Sequence, residues 1–178
     1  MLGAEPASCR PLSRRSLDGF EGIGVVSTLN ALRAYWRAQG ISCGDPASAA
    51  DLAIFEARYR VRLPPALRAY FAEVNGIRRT VKFEEEMDQD LIRFWPLDEV
   101  RPLSEEWPEN PAPRDAASLF VLADWSIAGW FYVARLSDAE TMAPIYIIDG
   151  GLTRVADSFE AFLERYLARD PAVLSPHA

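Results

Sequence analysis

Leu63-Pro64-Pro65-Ala66-Leu67-Arg68-Ala69-Tyr70-Phe71-Ala72-Glu73-Val74-Asn75-Gly76 reads as a helix with both ends marked. Pro64 and Pro65 suit the first helical positions, where an amide N–H has no intrahelical partner and φ is already helical. Leu67, Tyr70, Phe71 and Val74 fall at i, i+3, i+4 and i+7, which predicts one apolar face. Asn75-Gly76 supplies the left-handed residue that commonly ends a helix.

Upstream, the periodicity predicts two more helices. In Val25 to Trp36, Leu29, Leu32 and Trp36 share a face, with Gly40 as the stop. Ser48-Ala49-Ala50-Asp51 has the form of a capping box opening a helix that runs to about Arg60, with Leu52, Phe55 and Tyr59 aligned. Downstream the pattern changes to strands. Thr80 to Phe83 and Leu91 to Trp95 alternate as a pair around the acidic run Glu84 to Asp90, and Pro96 ends the second. Asp98 to Val100 suits a turn or short helix, and the prolines in Ser104 to Asp115 predict a loop. Ser118 to Asp124, Gly129 to Leu136, Pro144 to Asp149 and Leu152 to Val155 are further strand runs, with short connections that favour antiparallel neighbours. Asp157 with Glu160 three residues on predicts the cap of a closing helix, whose Phe159, Phe162, Leu163, Tyr166 and Leu167 must cover the sheet. The expected fold is therefore α+β: N-terminal helices, a mainly antiparallel sheet of about four to six strands, and a C-terminal helix on the sheet. Residues 1–22 read as a flexible arm, 23–170 as one domain and 171–178 as a tail.

Composition narrows the function classes. With 49% hydrophobic and 25% charged residues, the chain can bury an ordinary core. No apolar run is long enough to span a membrane, and the N-terminus has no signal-peptide pattern, so a cytoplasmic protein is expected. Two cysteines, Cys9 and Cys43, without a CxxC pair predict neither a disulfide framework nor a thiolate zinc site. The net charge of −7, with Lys82 the single lysine, argues against direct nucleic-acid binding, which needs clustered cations. The one histidine, His177, is the penultimate residue, a poor position for a nucleophile relay or a metal site. No metal, cofactor or catalytic residue is expected.

The order of these pieces resembles the SUKH superfamily, which also includes fungal cell-wall synthesis regulators. The residues that carry the resemblance are Ile54-Phe55-Glu56, Leu63-Pro64-Pro65 with Tyr70-Phe71 and Asn75-Gly76, and Phe94-Trp95-Pro96-Leu97-Asp98-Glu99-Val100. Phe120 to Ser126, Trp130 to Val133 and the Asp157 to Leu163 helix complete it, over roughly residues 48–168. The chain departs from the usual pattern in following Asn-Gly with Ile77-Arg78-Arg79. The resemblance implies an α+β binding domain without catalysis. Bacterial members are commonly immunity proteins that neutralise a cognate toxin, often a nuclease or another polymorphic toxin domain, whereas other branches act as regulatory interaction scaffolds.

An acidic binding module suggests carboxylates set against a basic partner, with aromatic anchors in loops. The candidate contact residues are Glu84, Glu85, Glu86, Asp88 and Asp90 in the acidic run, Glu105, Glu106 and Trp107 in the proline-rich loop, and Asp124 and Trp125 at a strand end. Trp95 and Trp130, inside strands, are expected in the core.

Overall fold

The punctuated stretch forms helix α3, Pro65–Glu73, with Pro64 at the N-cap position and Pro65 as its first residue. Leu67, Tyr70, Phe71 and Val74 are each no more than 1% exposed, and full burial of such a side chain stabilises by about 1.5–3 kcal/mol. Asn75 and Gly76 both have positive φ, 52° and 73°. The computed structural model describes residues 18–78, 80, 82–108, 113–139 and 142–174.

Before α3 come α1, Asp18–Ala38, and α2, Ala49–Tyr59. Helix α1 begins inside the segment expected to be an arm. Its Leu29, Leu32 and Trp36 are buried as their shared face predicted. Helix α2 starts with the expected capping box: the Ser48 side chain accepts from Asp51 N, and the Asp51 carboxylate accepts from Ser48 N.

The second half is a five-stranded antiparallel sheet in sequence order: β1 (Ile92–Phe94), β2 (Leu119–Trp125), β3 (Trp130–Arg135), β4 (Ile145–Ile148) and β5 (Leu152–Ala156). Helix α5, Phe159–Leu167, packs on it, with Phe162 and Tyr166 against Phe94 and Phe162 also against Tyr132. The domain is α+β.

Four local expectations are corrected. Thr80 to Phe83 is not a strand. Phe83–Glu86 is a 3-10 turn, and Val81 lies outside the described residues. Side-chain bonds displace the ladder there. The Thr80 hydroxyl donates to the Lys82 carbonyl, and Thr80 N–H donates to the Glu86 carboxylate. Within the expected Ser104–Asp115 loop, a short helix α4, Leu103–Glu106, forms behind Pro102 because Leu103 can bury against the sheet. The α5 cap is Ser158, whose hydroxyl accepts from Ala161 N, while Asp157 pairs with Arg154 at 2.8 Å. The expected tail carries α6, Pro171–Leu174, docked by buried Val173, whose carbonyl accepts from the Tyr132 hydroxyl at 2.7 Å. His177 lies outside the described residues.

Gly76 explains why Asn75-Gly76 and Phe94-Trp95-Pro96-Leu97 occur together. A Cβ on Gly76 would stand 2.6 Å from both Pro96 N and the Trp95 carbonyl carbon. The Asn75 side chain donates to the Asp45 carbonyl (2.6 Å) and accepts from Leu97 N (2.8 Å). The end of α3 is thus clasped to the exit of β1.

Candidate functional site

The predicted contact residues separate into buried and exposed sets. Glu86, Asp88 and Asp124 are only 6%, 4% and 3% exposed, so they are internal struts and not surface contacts. Glu85, Glu105 and Trp107 are exposed, and Asp90, Glu106 and Trp125 are half-buried. Glu84 lies on the 3-10 turn with its side chain outside what is described.

Glu86 and Asp124 converge on Arg93 of β1. The guanidinium is 3.2 Å from Glu86, 2.6 Å from Glu99 and 3.7 Å from Asp124. One cation therefore serves three carboxylates in a nearly dry setting, where each ion needs partners to offset its desolvation. Asp124 is further satisfied by the Trp95 indole N–H. From there a line of aromatic contacts runs outward, from Trp95 to Phe131 at 6.2 Å and from Phe131 to Trp107 at 5.7 Å. The sheet thus connects the acidic run to the α4 group, as β2 pairs Asp124 with Phe131 of β3.

Asp88 organises the turn before β1. One carboxylate oxygen accepts from Asp90 N and Ile92 N, each at 2.8 Å, and the other accepts from the Tyr166 hydroxyl. Tyr166 in turn accepts from the Trp36 indole at 2.9 Å. Burial raises the Asp88 carboxyl above its ordinary value, against the opposing hydrogen bonds from Tyr166, Ile92 and Asp90. Asp90 faces the other way and takes Arg169 through both of its oxygens, at 2.7 and 2.8 Å. Outside the buried set the charges are also paired: Glu85 with Lys82, Glu105 with Arg58 and Glu106 with Arg101.

Asp124 also shapes the β2–β3 turn. Ser126, Ile127 and Ala128 all have left-handed backbones, with φ of 45°, 62° and 60°. Each such residue costs about 1–2 kcal/mol, and for a β-branched residue the conformation is an outlier. The surroundings hold it. Asp124 accepts from Ala128 N (3.1 Å), the Trp125 carbonyl accepts from Gly129 N (2.8 Å), and the Leu91 carbonyl accepts from Ser126 N (2.9 Å). Trp125 and Trp130 stack beneath at 4.0 Å and 1° between planes. Gly129 is required, since a Cβ there would be 2.9 Å from the Trp125 ring. Ile127 emerges at the tip 69% exposed, beside Leu91, which is 43% exposed and left-handed at φ 61°. Sequence reading missed both: Gly129 was the one local turn signal, and nothing nearby marks Leu91.

A separate open groove of about 720 Å³ lies between α2, the 44–47 segment and the 96–100 turn. Ile54, Phe55, Arg58, Tyr59, Asn75 and Leu97 contribute to its walls, and none of the predicted contact residues lines it.

The family model described as the SMI1/KNR4 family (SUKH-1) matches residues 46–165. The chain belongs to this family. No curated protein matches it. The SUKH-1 match starts just ahead of α2 and ends within α5, so it includes the Asn75-Gly76 clasp and both left-handed turns. Helix α1 and Arg169 lie outside it, yet both bond to residues within it, Arg33 of α1 to the Glu73 carbonyl and Arg169 to Asp90. Among the described residues no helix is long and apolar enough to cross a membrane, and no group of three or more His, Cys, Asp or Glu could hold a metal ion.

Proposed function

We propose that this protein is a cytoplasmic immunity protein that binds a cognate bacterial toxin domain, a nuclease or another polymorphic toxin, and neutralises it by occlusion without catalysis. SUKH-1 membership across residues 46–165 carries the reading. The net charge of −7 supports it, because an acidic inhibitor is steered toward a basic active-site surface. The structure refines which groups are available for contact. Glu85, Glu105 and Trp107 are exposed, whereas Glu86, Asp88 and Asp124 act by holding the surface in shape.

The test is to search the genes flanking this one for a toxin domain and to co-express it with this protein; flanks without a toxin gene count against the reading. Protection of growth, together with a complex between the two purified proteins, is the expected result. Growth arrest despite full expression of this protein, with no complex formed, would overturn the reading. Association with a host protein in place of a toxin would move it to the regulatory-scaffold branch of the superfamily.

A further inference from the structure

We propose that this protein pairs with a second copy of itself through helix α2, antiparallel across a twofold axis, with Ile54 of each protomer seated against the other's groove. The proposal concerns self-association and stands independently of the immunity reading. Three observations on one surface carry it. Asp51, Ile54 and Arg58 fall at i, i+3 and i+7 of α2, so they share one face of the helix, and all three line the open groove of about 720 Å³. Ile54, in the middle of that row, is 66% exposed, whereas Phe55, Leu97 and Val100 of the same groove are no more than 6% exposed. An exposed aliphatic side chain thus stands beside a hollow whose buried lining is apolar. The ends of the row carry opposite charges with bonding capacity left over. Asp51 accepts both Ser48 hydrogen bonds on Oδ2, at 2.8 and 2.6 Å, and among the described residues nothing donates to Oδ1. Among the described residues the Arg58 guanidinium donates no hydrogen bond; it lies over the Tyr59 ring, and Glu105 approaches only to 3.9 Å. The other charges lining the groove are Arg78 and Asp45, which pair with each other at 2.5 Å, and Asp98 on the 96–100 turn.

A row that reads acid, aliphatic, base over about 10 Å of helix is complementary to its own reverse. Turned antiparallel about an axis beside Ile54 and Phe55, one protomer's Asp51 meets its partner's Arg58, and the same pair forms at the other end, as an isologous interface requires. The two Ile54 side chains then meet near the axis, each against the apolar lining of the opposite groove. An unrelated partner would have to carry the same row reversed, which a second copy supplies without further conditions. Asp98 adds a carboxylate to each groove and so favours the incoming guanidinium. The walls are fixed before pairing by the Ser48–Asp51 capping box and by Asn75, which ties the Asp45 carbonyl to Leu97 N, so little ordering is lost on association. Two copies of net charge −7 repel at long range, and each contributes one short helix and one groove, so the expected Kd is roughly micromolar.

The experiment is analytical ultracentrifugation of the full-length protein from about 5 to 500 µM in physiological salt. Wild type should pass from monomer to dimer across that range. Ile54→Glu and Ile54→Lys place like charges at the axis and should each weaken dimerisation about 30-fold or more, while Arg58→Ala removes both ion pairs and should weaken it about 10-fold. Both positions are exposed, so the monomers should melt within a few degrees of wild type. An equimolar mixture of the two Ile54 variants should form a heterodimer, because opposite charges then meet at the axis. A wild-type protein that stays monomeric to about 500 µM would overturn the proposal. So would a wild-type dimer whose Kd all three variants leave within about 3-fold, which would place the contact on another surface. Two monomeric Ile54 variants that fail to associate when mixed would overturn the antiparallel pairing.

Discussion

Replacing Tyr166 by Phe removes one hydroxyl that two buried groups share. The Trp36 indole donates to it at 2.9 Å, and it donates to Asp88. Trp36 is fully buried and Asp88 is 4% exposed, so water is poorly placed to substitute. An orphaned buried donor costs about 1–3 kcal/mol, and a lost hydrogen bond to a charged group about 1.5–3 kcal/mol. Allowing for some relaxation, the expected loss is about 3 kcal/mol at neutral pH, a fall in melting temperature of roughly 6–12 °C for a chain of this size. The pH dependence makes the test specific. Burial raises Asp88 in the folded state above the 3.8 of the unfolded chain. Its contribution to stability is therefore fully present below that unfolded value and is lost as pH rises through the folded one. The Tyr166 hydroxyl is one of the groups opposing that rise. Without it the folded value climbs further, so Tyr166→Phe should be most destabilising at neutral pH and progressively less so on acidification. Urea unfolding of wild type and variant at a series of pH values from neutral downward measures this directly. The same pair in an Asp88→Asn background should show a pH-independent difference. A neutral-pH loss below about 1 kcal/mol, or a difference flat with pH while Asp88 is present, would refute the network as described.

The other predictions concern the clasp, the cap and the charges. Gly76→Ala, at φ 73° and with Pro96 N 2.6 Å from the new Cβ, should cost at least about 3 kcal/mol by urea unfolding, because backbone cannot step aside as a side chain can. Ser158→Ala should cost about 1 kcal/mol and Asp157→Ala less than about 0.5 kcal/mol by the same measurement, since Ser158 provides the cap bond. In stopped-flow binding to the toxin domain, Glu85→Ala combined with Glu105→Ala should slow association and weaken its salt dependence while leaving dissociation nearly unchanged. Both are exposed carboxylates already paired with Lys82 and Arg58.

Most of the fold was legible because its signals are local. The face of α3, the Ser48 capping box and the apolar runs that became β2, β3 and β4 each depend on residues a few positions apart. The failures mark where distant residues decide. The Asp157 and Ser158 positions differ by one residue, and either side chain can cap, so only the backbone geometry chooses. The run Glu84 to Asp90 reads as one set of contact carboxylates because composition cannot separate an acid facing water from one facing an internal partner. On a 3-10 turn successive side chains point about 120° apart, so Glu85 faces solvent and Lys82 while Glu86 faces Arg93. Asp88 is buried with one of its hydrogen bonds supplied by Tyr166, 78 residues later.

An acid-rich stretch need not make an acidic patch, and that bears on how the surface works. In the described part of the candidate set, each carboxylate already has an internal partner: a cation for Glu85, Glu86, Asp90, Glu105 and Glu106, and hydroxyl, indole or backbone N–H donors for Asp88 and Asp124. Pairing leaves the net charge of −7 as a diffuse field, suited to steering an encounter. Holding a partner afterwards calls for desolvated apolar contact. The two buried aspartates spend their hydrogen bonds on the turns beneath Leu91 and Ile127. Both aspartates thereby hold turn backbone in place, and Asp124 also faces Arg93 at 3.7 Å.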